Sequence, residues 1–163
     1  MKAGHTLILE SYPFSFWCEK MTESELKHFK YHNEAFLMSQ TFMQAEMYYE
    51  SGQYEKAIEY YDIYVEQNRG KRFEDTYIEG AYLGLGKSYY GLKDYIKALE
   101  YFDRGRELYK AKGSWDTEYH MLEFFEGMGN VYCVYGEGKI ALDYYKRCER
   151  IHDTYAHAND DPG

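Results

Sequence analysis

The sequence predicts an all-α protein made of repeated helix hairpins, and three observations indicate this fold class. The 163-residue chain has two prolines, Pro13 and Pro162, so the long stretch between them lacks the commonest helix-breaking residue. Within that stretch, apolar residues recur every three to four positions, which is the period of an amphipathic helix. Three passages of the stretch are also similar to one another, as in repeat proteins.

The three similar passages align without gaps over residues 44–61, 85–102 and 128–145. Each contains a tyrosine, an alanine nine residues later and an aromatic residue four further on: Tyr48, Ala57, Tyr61; Tyr89, Ala98, Phe102; and Tyr132, Ala141, Tyr145. The alanines are 41 and 43 residues apart. Because a glycine-containing turn interrupts the apolar period, we expect a first helix (helix A), a tight turn near residue 52, 92 or 137, and a second helix (helix B).

The elements can be placed along the chain in order. Residues 22–25 have the Thr-Glu-Ser-Glu spacing of a capping box and predict the start of helix A of the first repeat. Gly70 and Gly113 are typical of helix C-terminal caps between repeats. Residues 1–21 are rich in apolar side chains, so we expect them to pack against an array that spans 22–163. The repeats are expected at about 38–71, 79–112 and 122–156.

Small residues mark the points where the helices of each hairpin should touch. They are Ala45, Gly86 and Gly129 on helix A, and Ala57, Ala98 and Ala141 on helix B. A bulky side chain at any of these points would push the two helix axes apart. We therefore expect close packing within each hairpin.

This pattern resembles the tetratricopeptide repeat, in which an aromatic residue, Leu-Gly and Tyr on helix A are followed by Ala and Phe on helix B. The second repeat carries it as Tyr82, Leu85, Gly86, Tyr89, Ala98 and Phe102, and the third as Phe125, Met128, Gly129, Tyr132, Ala141 and Tyr145. The first repeat departs from it at Thr41 and at Gln44-Ala45. The resemblance implies an α-solenoid, a right-handed superhelix of antiparallel hairpins, although the usual period is only about 34 residues.

In proteins with this repeat, helix A residues line the concave face and hold a peptide or partner helix. The resemblance maps nine positions of this chain onto that groove: Phe42, Glu46, Tyr49, Leu83, Lys87, Tyr90, Glu126, Asn130 and Cys133. It implies a non-catalytic interaction module or adaptor that binds a protein or peptide ligand. Members that capture chaperone tails use a basic clamp, and Phe42 and Glu46 replace its first Lys and Asn.

Two other resemblances give alternative functions. Bacterial peptide-sensing regulators of the quorum-receptor type have long repeats that close around a signalling peptide, but they carry more repeats and an effector domain. Translocator chaperones of type III secretion share the size, the acidity and the three repeats, but not the repeat period. A self-associating array is a further alternative: the helix B of the third repeat should expose a stripe that includes Leu142, Cys148 and Tyr155, which favours a homodimer through the C-terminal repeat.

Composition limits the partners. A formal net charge of −9 and a pI near 5.2 disfavour nucleic acid and anionic membrane surfaces, because both bind through clustered Lys and Arg. The three cysteines, Cys18, Cys133 and Cys148, are widely spaced and suggest neither a disulfide framework nor a zinc site. We expect a cytoplasmic protein without a signal peptide or membrane span.

Neither catalysis nor a cofactor is predicted. Gly86-Lys87-Ser88 is similar to the end of a phosphate-binding loop, but Ala81 stands where that loop needs a glycine and no strand precedes it. His28 and His32 share a helix face without a third metal ligand nearby. We therefore expect no catalytic residues, no metal site and no enzyme activity.

Overall fold

The computed structural model describes residues 40–71, 76–112 and 121–158. These residues form six helices with no strand among them, so the predicted all-α class is confirmed over the described ranges. Residues 40–50 form α1. The following helices are α2 (Tyr54–Gln67), α3 (Ile78–Gly91), α4 (Tyr95–Lys112), α5 (Leu122–Val134) and α6 (Gly138–Ala158). The predicted capping box, the apolar segment 1–21 and Gly113 lie outside the described residues.

The three predicted turns are confirmed, and all three close in the same way. After each helix A, the last turn is sealed by two backbone hydrogen bonds, for example from Gly52 N to Tyr49 O at 2.9 Å and from Gln53 N to Tyr48 O at 2.9 Å. This pairing is a Schellman motif and needs one residue in the left-handed region. Gly52 at φ 74° and Gly136 at φ 75° supply it without strain, and Gly70 at φ 78° follows α2.

The middle turn departs from the expected use of glycine. Its left-handed residue is Lys93 at φ 64°, although Gly91 lies only two positions earlier. A left-handed conformation costs a residue with a side chain about 1–2 kcal/mol. Gly91 has a different reason to be glycine, because a Cβ there would lie 2.6 Å from the Tyr54 ring of α2.

Helices that follow each other in the chain pack against each other. Contacts join α2 to α3, α3 to α4, α4 to α5 and α5 to α6, and α3 also contacts α5. Residues just before a hairpin turn meet residues just after it, as Tyr90 and Tyr95 do at 5.5 Å, while Tyr82, a full two turns earlier, meets Tyr101 at 5.9 Å. The helices of this hairpin are therefore antiparallel.

The small residues predicted at the helix crossings are buried. Ala45, Ala57 and Ala98 have no exposed surface and Ala141 is 2% exposed. Gly86 faces Phe102 so closely that a Cβ would lie 2.5 Å from the ring. Helix pairs approach this closely only where a side chain is absent or no larger than a methyl group.

Side-chain contacts recur with the spacing of the sequence repeat. A tyrosine of each helix A packs on a tyrosine of its helix B: Tyr48 with Tyr60 at 5.1 Å, Tyr89 with Tyr101 at 5.4 Å, and Tyr132 with Tyr144 at 5.7 Å between ring centroids. Lys56 and Lys97 cover the first two of these helix A rings in equivalent cation–π contacts. The 41- and 43-residue periods thus organise contacts as well as sequence.

Candidate partner-binding groove

A cavity of about 160 Å³ lies where α1, α3 and the first turn of α5 come together. Its walls include five of the nine residues that the sequence predicted for a groove. These are Phe42, Glu46 and Tyr49 of α1 and Leu83 and Lys87 of α3. Helix A residues of two successive repeats thus line one depression.

The floor of this cavity is aromatic and held in place. The Phe42 ring meets three tyrosine rings edge-on, with centroids at 5.7 Å to Tyr61, 5.2 Å to Tyr64 and 5.4 Å to Tyr77. Tyr61 is fully buried, and its hydroxyl donates a hydrogen bond to the Glu46 carboxylate. Burial raises the pKa of Tyr61 far above that of a free tyrosine, and the bond to Glu46 raises it further. The floor is therefore closely packed, and Tyr61 stays uncharged at neutral pH.

One rim of the cavity is an ion pair that bridges two repeats. The Lys87 ammonium on α3 donates to the Glu123 carboxylate at the start of α5. The two side chains are 35% and 58% exposed, so the pair contributes at most about 1 kcal/mol to stability. A ligand that carries its own cation can exchange with Lys87 at little cost.

A second cavity of about 150 Å³ continues the first toward α5. The two share Tyr77, Gly80, Leu83 and Glu123, and the second adds residues from α4 and α5: Tyr109, Leu122 and Phe124. Gly80 and Gly84 let the aromatic wall pack closely on α3, because a Cβ at either position would overlap the Tyr77 or Tyr61 ring. Sequence reasoning missed Tyr77, Gly80 and Tyr109; the four-residue spacing of Gly80 and Gly84 on one helix face was the available signal.

The other four predicted groove residues surround a different side chain. Asn130 accepts a hydrogen bond from the Tyr145 hydroxyl at 2.7 Å. Burial raises the pKa of Tyr145, and nearby Cys133, Tyr90 and Glu126 raise it further, in that order. None of these four lines either described cavity. The structure therefore divides the predicted set between a cavity at α1 and α3 and a cluster around Tyr145.

The repeat alignment explains why Lys87 behaves differently from its counterparts. Glu46 and Asn130 occupy the same repeat position and each accepts a hydrogen bond from the aromatic residue 15 positions later, Tyr61 or Tyr145. In the middle repeat these positions hold Lys87 and Phe102, and phenylalanine has no hydroxyl. Lys87 reaches across to Glu123 instead.

Gly86-Lys87-Ser88 does not form a phosphate-binding loop. All three residues lie inside α3, and Gly86 and Ser88 are buried. The Ser88 hydroxyl donates to the Gly84 carbonyl at 2.7 Å within the same helix. A phosphate loop presents its free N–H groups ahead of a helix, so the packing interpretation of this motif is confirmed.

The predicted outer stripe of α6 is only partly correct. Leu142 is 51% exposed, as expected. Cys148 instead faces α5, where its thiol donates to the Leu122 carbonyl at 3.7 Å, and Tyr155 packs on the cluster that contains Met121 and Ile151. Both side chains were wrongly assigned to the outer face, because they lie on the side of α6 that packs against α5.

Neither the family models nor the curated proteins that we searched match the chain. Within the described ranges, no group of three His, Cys, Asp or Glu side chains could hold a metal ion, and no helix is long and apolar enough to cross a bilayer. His28 and His32 lie outside those ranges.

Proposed function

We propose that this protein is a non-catalytic interaction module that binds a peptide or helix of a partner protein along α1, α3 and α5. The proposal includes a tetratricopeptide-like α-solenoid in which these three helices are the helices A of successive repeats. The observation that carries it is the cavity that gathers Phe42, Glu46, Tyr49, Leu83 and Lys87 from two of them.

The size of the cavities favours a peptide over a compact small molecule. Each holds about 150 or 160 Å³, below the roughly 300 Å³ at which small-molecule sites begin. Two such depressions in a row suit successive side chains of one segment. Extended peptides and amphipathic helices are both recognised through side chains that enter separate pockets.

The chemistry of the walls favours a segment with basic and apolar side chains. The carboxylates of Glu46 and Glu123 face the cavity beside aromatic rings, and the chain carries a net charge of −9. A partner's Lys or Arg can replace Lys87 on Glu123, while an apolar neighbour fills the space above Leu83. Aromatic floors of this kind are enriched in binding hot spots.

The test begins with a displayed library of random peptides selected against the protein. We expect recovered peptides to share a basic residue next to an apolar one. Their affinity should fall about tenfold or more for Glu123→Lys and for Tyr49→Ala, measured by calorimetry on variants whose melting curves show them folded. Glu100→Lys is the matched control, because Glu100 is 51% exposed, also pairs with a cation and lines neither cavity.

Two results contradict the proposal. One is a selection that yields no shared pattern of residues. The other is an affinity that Glu123→Lys and Tyr49→Ala leave unchanged, because binding would then take place elsewhere on the molecule.

A further inference from the structure

A third cavity, larger than the two cavities of the groove, lies between the later parts of α4 and α6 and the start of α5. It encloses about 580 Å³ and its lining differs in character from the acidic surface of the chain. Four cations point to one space: Arg106 and Lys110 from α4, and Arg147 and Arg150 from α6. No carboxylate is among the lining residues that the structure describes.

This concentration of positive charge does not follow from composition. The chain has 28 acidic and 19 basic residues, and helix surfaces elsewhere pair the two kinds, as Arg104 does with Glu100 at 2.6 Å. Arg106 is paired with Asp103 and Glu107. Over the described ranges, Lys110, Arg147 and Arg150 make no ion pair. Within the part of the chain that the structure describes, three positive charges thus have no carboxylate partner.

The cations converge on an apolar base. The Arg147 guanidinium lies 5.0 Å from the centroid of the Phe125 ring, a cation–π contact that holds it at the cavity. Met121, Phe125 and Ile151 form a buried apolar cluster behind it.

Met121 also marks the positive end of α5. It is the N-cap residue of that helix, it lines the cavity, and no side chain caps the helix there. The exposed N–H groups and the dipole at a helix N-terminus favour negative charge. The helix end adds to the field of the three unpaired cations.

We propose that this cavity is a second binding site, one for a small organic anion with an apolar body. The guanidinium groups of Arg147 and Arg150 and the ammonium of Lys110 hold a carboxylate or phosphate head group, since planar forked donors match both. The apolar body lies against Phe125 and Ile151. A cavity of about 580 Å³ is within the usual range for small-molecule sites and far exceeds an inorganic phosphate.

The test compares probes of one chain length by calorimetry: octyl phosphate, octanoate, octanol, octyltrimethylammonium and inorganic phosphate. We expect the two anionic amphiphiles to bind, the ranking of the two identifying the preferred head group, and the other three to bind at least tenfold more weakly. Affinity should fall as salt is raised, because the head group is held by charge.

Variants locate the site. Arg147→Gln and Arg150→Gln should each weaken binding of the better amphiphile about tenfold. Arg104→Gln is the matched control, because Arg104 is the repeat equivalent of Arg147, is 53% exposed and lies outside the cavity. Arg150 keeps the test decisive if loss of the Arg147 ring contact unfolds the protein. Among the described residues, the Arg150 guanidinium donates a hydrogen bond to the Lys146 carbonyl alone, at 3.4 Å.

Three outcomes overturn this proposal. Octanol that binds as tightly as octyl phosphate would show that charge is irrelevant. Inorganic phosphate that binds equally well would show that the apolar body is irrelevant. Equal affinity of Arg104→Gln and Arg150→Gln would place any binding elsewhere. Peptide binding in the groove is independent of all three results.

Discussion

At the scale of single residues, the aromatic position of helix B has two roles, and only the second depends on a hydroxyl group. Tyr61, Phe102 and Tyr145 all fill the space beside a small residue of helix A. Where the residue is tyrosine, its hydroxyl also fixes a polar helix A side chain, Glu46 or Asn130. A buried phenol needs such a partner, because an unpaired buried hydroxyl costs about 1–3 kcal/mol.

The buried tyrosines predict a loss of stability in alkali. The pKa values of Tyr61, Tyr64 and Tyr109 are raised in the folded state, chiefly by burial. In the unfolded chain a tyrosine loses its proton near pH 10, while the folded protein retains it. The unfolded state then binds fewer protons, so the free energy of unfolding falls as pH rises above about 10.

Urea unfolding followed by circular dichroism, between pH 8 and pH 11.5, measures this effect. Tyr61→Phe removes one ionisable group, so its stability should decline less steeply with pH than that of the unmodified protein. At pH 8 the same variant should be about 1 kcal/mol less stable, because it lacks the bond to Glu46. Parallel pH profiles for the two proteins would show that Tyr61 does not carry a shifted pKa.

At the scale of helices, the contact between hairpins depends on glycine. Gly84 of α3 is buried against Tyr61, and a Cβ there would overlap the ring, which has no exposed surface into which to move. Gly84→Ala should therefore destabilise the protein by about 1–3 kcal/mol through overpacking, although alanine favours the helix by about 1 kcal/mol.

Gly138→Ala is the matched control for this prediction. Gly138 begins α6, is exposed and has nothing within 4 Å of a built Cβ. Thermal melts should show it unchanged or slightly more stable. If the two alanine variants melt alike, the contact of α3 with Tyr61 is not close enough to limit side-chain size.

The helices and their turns could be predicted because the information is local. Apolar period, turn glycines and the crossing alanines Ala57 and Ala98 are all readable within one hairpin. The positive φ of Lys93 could not be predicted, since Gly91 two residues earlier is required for a contact with Tyr54 of the preceding hairpin.

The candidate site could be predicted only in part. Repeat register placed Phe42 and Leu83 at one cavity, but Phe42 is enclosed by rings from α2 and by Tyr77, which no local pattern reveals. The cationic cavity gave no sequence signal at all. Two of its three arginines, Arg106 and Arg150, are 44 residues apart in the chain and meet because α4 and α6 both pack on α5.

At the scale of the whole molecule, each helix is stabilised mainly by contacts with the helices next to it in the chain. Among the described residues, the most extensive helix contacts join neighbours in the chain, and α3 also contacts α5. Phe102 of α4 links the last two hairpins: it is 1% exposed, and a Cβ at Gly86 or at Gly127 would lie 2.5 Å from its ring. In such an arrangement, disruption of one interface should open the part beyond it and leave the rest folded.

Gly127→Val tests this chain of contacts. Because valine at this position must displace the Phe102 ring or push α5 away from α4, overpacking should cost about 1–3 kcal/mol at that interface. We expect amide hydrogen exchange, measured by mass spectrometry, to speed up about tenfold or more in α5 and α6, while α2 exchanges as in the unmodified protein. Gly138→Ala, which lies beyond the interface and touches nothing, should leave every helix unchanged. A uniform increase across α2 to α6 would instead mean that the described helices unfold as one cooperative unit, and the helix-by-helix account of stability would then be wrong.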